Sequence, residues 1–145
     1  GTTDYAVEIF HAALKEGRYT CFLGADQALP MMYMDDAIRA TLELMNAPPE
    51  LVRDRHSYNL AGISFTPLQI AAAIRQRLPS FTMDYVPDFR QAIAATWPRS
   101  IDDSAAQRDW GWHARYDLGA MVDAMLVNLR TTIALPDQVA VASKG

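Results

Sequence analysis

Two carboxylate pairs, three histidines and one cysteine are the residues of this 145-residue chain whose chemistry could be put to use. Asp35–Asp36 and Asp102–Asp103 could divide acid and base work between neighbouring carboxyls. Each pair, however, stands just ahead of a helical segment, where carboxylates meet free N–H groups, and the structural reading is preferred for both. His11, His56 and His113 lie far apart in sequence without metal-ligand spacing, and they read as solvated side chains. Cys21, within YTCFL, reads as a buried strand residue. Being single, it excludes an intrachain disulfide and a cysteine-built metal site. The seven glycines are isolated from one another, so neither G-x-G-x-x-G nor a phosphate-cradling Walker loop occurs, and G-x-S-x-G is missing. The residues by themselves display no complete catalytic constellation.

Composition bounds the rest. Half of the residues are hydrophobic and 21% are charged, which suits one globular domain with an apolar core. A net charge of −4 argues against a nucleic-acid surface. The densest basic spot, Arg75-Gln76-Arg77, reads as a solvated helix face. No apolar run approaches the roughly 20 residues that span a bilayer. No signal peptide is recognisable, and a cytoplasmic compartment is the default expectation, with an organelle left open.

The elements that must position any site follow from periodicity and caps. Ala6, Ile9, Phe10, Ala13 and Leu14 mark one face of a helix ended by Gly17. YTCFL (19–23) and MMYM (31–34) predict buried strands around a loop, ADQALP. Asp35–Asp36 then open a helix carrying Ile38, Thr41, Leu42 and Met45 on one side, stopped by Pro48–Pro49. YNL (58–60) predicts another short strand. Thr66-Pro67-Leu68-Gln69 is a capping box with proline at the first helical position, flanked by Phe65 and Ile70 as a staple. FTMDYV (81–86) alternates like an edge strand. Phe89, Ala92 and Ile93 suggest a short helix leading into ATWPRS. Ser104 and Gln107 predict a second capping box, and Gly111 the end of that helix. Leu118, Met121, Val122, Met125, Leu126 and Leu129 predict a last amphipathic helix, with an exposed tail over 130–145. The sum is one mixed α/β unit.

Several stretches, in order, carry a resemblance: GTTDYAVEIF, LPMMYMDDAIRATLELM, YNLAGISFTP and FRQAIAATWPRSIDDSAAQRDWGW with the YDL after it. Together they resemble the C-terminal half of the L-threonine 3-dehydrogenases of the extended short-chain dehydrogenase type, over roughly residues 1–129. A strand followed by Asp-Asp and a helix is common to the whole epimerase group. GTTDYA, ATWP and DWGW are more specific to the threonine enzymes.

The resemblance implies a substrate-binding lobe that lacks most of the dinucleotide-binding half. In the family that other half holds NAD and a Tyr-x-x-x-Lys pair that transfers the proton. Here the positions four residues after each tyrosine are Ile9, Leu23, Ala37, Gly62, Phe89 and Ala120, so no catalytic residue is expected in this chain. Gly1, Thr2, Thr3 and Asp4 match the family's substrate-contacting turn, and Trp97 matches a tryptophan over the substrate. Free N–H groups and two hydroxyls at a helix start suit an amino acid's carboxylate, and Asp4 could meet its ammonium. Pro98 restricts the backbone of Trp97 and would fix the pose of the indole. Trp110 and Trp112, flanking Gly111, read instead as core. The implied reaction is oxidation of L-threonine to 2-amino-3-oxobutyrate with hydride passing to NAD, in a full-length homodimer, and this portion alone is expected to be inactive. Two other readings stand beside it: the lobe of a nucleotide-sugar epimerase, and a non-catalytic interaction domain derived from such an enzyme.

Overall fold

The computed structural model describes residues 4–54 and 56–134. Helix α1 (Tyr5–Lys15) starts where the Asp4 side chain accepts a hydrogen bond from the Ala6 N–H. Its buried face is Tyr5, Ile9, Phe10 and Ala13, and Gly17, at φ 67°, turns the chain out of the helix in the left-handed region. Strand β1 (Arg18–Cys21) follows at once. Strand β2 (Leu29–Met31) leads into α2 (Met34–Asn46), and β3 (Ile63–Phe65) into α3 (Pro67–Arg77). Strand β4 (Thr82–Tyr85) precedes α4 (Phe89–Ala94), α5 (Ser104–Trp110) and α6 (Leu118–Ala134).

The strands form two separate pairs among the described residues. β1 lies parallel to β4 with Cys21 opposite Tyr85, and β2 antiparallel to β3 with Leu29 opposite Phe65. Helix α6 packs against both α1 and α3, and the main core gathers Ile9, Phe10, Phe65, Ile70, Ile74 and Val122, all nearly inaccessible. Each such side chain contributes about 1.5–3 kcal/mol by leaving water. The capping box of α3 is complete: Thr66 Oγ1 accepts from Gln69 N–H, and Gln69 Oε1 accepts from Thr66 N–H.

Several expectations need correction. The second strand is Leu29–Met31 rather than 31–34, because Met34 already belongs to α2. Pro30 is tolerated there because β2 has, among the described residues, a ladder partner on one side only. Residues 58–60 form no ladder. Side chains hold that segment instead, the Tyr58 hydroxyl donating to Asp109 and Asp103 accepting from the Ala61 N–H. The N-cap of α5 is Asp103, not Ser104, with Gln107 donating to its carboxylate. Asp102 accepts from the Ser104 N–H. The arginines at 75 and 77 are not a bare solvated face. Arg77 pairs with Asp123 of α6 at 2.6 Å, and Arg75 Nε donates to the Phe81 carbonyl.

The last helix runs past Leu129 to Ala134. The helix continues there without apolar periodicity, and the hydroxyls of Thr131 and Thr132 bond back to the carbonyls of Val127 and Asn128. The remainder of the expected tail, 135–145, lies outside the described residues.

Helix α2 departs most from its sequence pattern. Ile38, Leu42 and Met45 are exposed, together with Met34. The buried side of α2 is Asp36 and Ala40. Asp36 is 1% accessible and accepts hydrogen bonds from Arg39 Nη2 at 2.7 Å, from Arg115 N–H at 2.9 Å and from Tyr116 N–H at 3.0 Å. Arg39 also donates to the His113 carbonyl and lies 4.6 Å over the Trp112 ring. The carboxylate therefore ties α2 to the segment between α5 and α6, where Ala40, Ala106 and Trp112 make a second, smaller core.

Gly62 sits where β3 approaches β2. A β-carbon there would stand 2.6 Å from the Met31 carbonyl oxygen. Gly62→Ala must therefore push the two strands apart, at an expected cost of about 1–3 kcal/mol. The check is urea denaturation, where the midpoint falls at constant slope; an unmoved midpoint would contradict this packing.

Candidate functional site

One cleft, of about 270 Å³, collects residues from several elements. Asp4 and Tyr5 enter from the start of α1, Leu29 to Met31 from β2, and Ile93 and Ala94 from the end of α4. Phe22, just beyond β1, together with Arg90 and Trp97 completes most of its wall. The size is at the small end for ligand sites and suits a small molecule.

The local sequence explains how these side chains arrive. Tyr5 packs edge-on against Phe22 and Phe65, which fixes the first turn of α1 over the core. Burial pushes the Tyr5 phenol well above its ordinary range, so it stays neutral. Asp4 is exposed; its Oδ1 caps α1 at 2.9 Å from the Ala6 nitrogen. Capping and facing the cleft are thus compatible for this carboxylate.

Trp97 follows the last turn of α4. Its N–H bonds to the Ala94 carbonyl, and the Thr96 hydroxyl donates to Ile93. The turn throws the indole outward, 54% accessible, onto the cleft wall. Two glutamines, unnoticed in the sequence, hold α4 in place. Gln91 Oε1 accepts from the Gly24 N–H, and its amide donates to Gln27 Oε1, both at 2.8 Å. The Ser64 hydroxyl donates to the Arg99 carbonyl and ties the other side of the Trp97 loop to β3.

Of the residues singled out from sequence, Asp4 and Trp97 are brought together on this cleft. Gly1, Thr2 and Thr3 lie outside the described residues. The carboxylate pairs are structural: Asp36, Asp102 and Asp103 spend their oxygens on backbone and side-chain donors, and Asp35 accepts from the Tyr116 hydroxyl. Arg90 was missed. Its only sequence signal is the Asp88-x-Arg90 spacing at the start of α4, where Asp88 caps the helix and also holds the guanidinium.

No family model matches the chain. Among curated proteins, the mitochondrial L-threonine 3-dehydrogenase of Bos taurus is 50% identical over 127 residues, which is 87% of this chain and 34% of that protein. Among solved structures, an L-threonine dehydrogenase from Cupriavidus necator is 65% identical with a TM-score of 0.84, over 89% of this chain and 46% of its own. The L-threonine dehydrogenase from Phytophthora infestans is 57% identical with a TM-score of 0.86, over 91% of this chain and 43% of its own. The chain thus spans about a third of the curated relative's length and less than half of either solved chain. Sequence and fold agree: over most of its length the chain is similar to one portion of the L-threonine 3-dehydrogenases.

Proposed function

We propose that this chain is the substrate-binding portion of an NAD-dependent L-threonine 3-dehydrogenase, which oxidises L-threonine to 2-amino-3-oxobutyrate. The observation that carries the reading is the convergence of Asp4 and Trp97, 93 positions apart in sequence, on one small cleft. The names of the relatives supply the substrate class. In this reading residues 1–129 form the lobe, and 130–145 an appended segment that begins within the last turn of α6. Gly1, Thr2, Thr3 and Asp4 belong to the substrate-contacting turn, Asp4 meets the ammonium, and the Trp97 indole covers the side-chain methyl and keeps water from C3.

The described residues offer no glycine-rich turn to cradle a pyrophosphate, so NAD does not fit this portion on its own, and its binding is assigned to the rest of the polypeptide, as is the proton-transferring base. This portion by itself binds and orients without turnover, and the working unit is a homodimer of full-length chains. No helix of the described residues is long and apolar enough to cross a membrane. The cytoplasm is our default compartment, an organelle being equally compatible since the bovine relative is named as mitochondrial.

The test is NAD reduction by the full-length polypeptide that carries this sequence. L-threonine should drive it, and uridine-diphosphate sugars should neither react nor compete. Turnover of a nucleotide sugar with none of L-threonine would overturn the reading in favour of an epimerase. Turnover of neither would favour an interaction domain.

A further inference from the structure

The apolar lining of the cleft is of two kinds. Leu23, Leu29 and Ala94 are buried members of the main core, which the cleft only grazes. Ile93 and Trp97 stand four positions apart on the same wall and keep 45% and 54% of their surface accessible. Hydrogen bonds hold these two in a fixed relation. The Ile93 carbonyl accepts from the Thr96 N–H at 3.0 Å and from the Thr96 hydroxyl at 2.7 Å, while the Ala94 carbonyl accepts from the Trp97 N–H at 3.1 Å. The contacts of Gln91 with Gly24 and Gln27 anchor the same helix from the other side. Isoleucine in a helix is nearly confined to one χ1 rotamer, so this part of the wall is stiff as well as apolar.

Stability does not call for isoleucine at this place. A β-branched residue ranks below leucine or alanine in helix propensity, and an aliphatic side chain left nearly half in water gains only part of its transfer energy. Its free apolar surface faces a cleft, where it can serve an apolar group of a ligand. We propose that Ile93 is a specificity residue: together with Trp97 it seats the methyl group on C3 of the substrate and sets the size of the group allowed there. This inference rests on the threonine reading and deepens it. A longer substituent on C3 meets a stiff side chain that cannot turn aside, and a shorter side chain at position 93 makes room for it.

The experiment uses the full-length polypeptide and two compounds, L-threonine and L-threo-3-hydroxynorvaline, which carries an ethyl group where threonine has a methyl. Wild-type protein should prefer L-threonine in kcat/KM by about 10–100-fold, the range for one methylene at an apolar seat. In Ile93→Ala the longer compound should gain while L-threonine loses, and the preference should collapse to within a few-fold or reverse. Ile93→Val, which trims a single methyl, should retain part of the preference and serves if the alanine variant folds poorly. An isoleucine that only packs α4, or that is covered by the rest of the polypeptide, would lower both compounds in parallel and leave their ratio at the wild-type value, which overturns the proposal. Wild-type protein that turns over both compounds equally well overturns it too, since there is then no size limit to assign. Wild-type protein inert towards L-threonine sinks the functional reading itself, and this proposal with it.

Discussion

Asp36→Ala is expected to cost about 3–5 kcal/mol of folding stability, the range for removing one partner of a buried ion pair. The reasons lie in what the carboxylate serves. Its removal leaves the Arg39 guanidinium, 18% accessible, with only Glu43 of its two carboxylate partners, and leaves the Arg115 and Tyr116 N–H groups without their acceptor. It also loosens the cation held over Trp112, so the smaller core loses its registration with α2. In a chain of this size the melting temperature should drop on the order of 10 °C or more. Asp36→Asn keeps the shape and one acceptor and should cost distinctly less. Burial alone would raise the Asp36 carboxyl, but the hydrogen bonds from Arg39 and from the Tyr116 and Arg115 N–H groups outweigh it and hold the group below the ordinary carboxylate range. A group depressed in the folded state contributes stability that is complete above its unfolded value, near 3.9, and lost as pH falls through the folded value. Urea midpoints measured from neutral pH down to pH 2 should fall more steeply for the wild type than for Asp36→Asn. Superimposable acid limbs would remove Asp36 from this account.

What the sequence disclosed and what it hid divide along a physical line. Signals complete within four residues were readable: the Thr66 capping box and the glycine stop at 111 both involve groups that meet through local backbone geometry. The apolar periodicity of α2 was also real, yet it identified a face without saying what covers it. Ile38, Leu42 and Met45 stay exposed, while the buried contacts of that helix belong to a carboxylate and an alanine. A residue such as Asp36 looks in sequence like any helix-start aspartate, because two of its three partners are about 80 positions away. The site behaves alike. Trp97 and the start of α1 were legible through resemblance, whereas Arg90, Gln91 and Gln27 were not, since their meaning comes from pairing across some 65 residues or from which wall they occupy.

The tryptophans give the sharpest separation of core from site, and Trp112→Ala should be the most damaging single change outside Asp36. Trp112 is fully buried, donates its Nε1–H to the Ala61 carbonyl at 3.0 Å and lies under Arg39. Truncating it leaves a cavity, an unpaired carbonyl and a cation without its aromatic support, for an expected loss of about 3–5 kcal/mol. Trp97 is the opposite case, more than half accessible and bonded through its backbone rather than its ring. Trp97→Ala should therefore unfold within about 0.5 kcal/mol of wild type. In the full-length polypeptide it should still lower kcat/KM for L-threonine about 10-fold or more, as expected for losing one aromatic contact with a bound ligand. Denaturation curves and steady-state kinetics on the two variants read these separately. If Trp97→Ala destabilised the protein as much as Trp112→Ala, the indole would be a packing residue, and the cleft would lose the wall on which its reading as a substrate site depends.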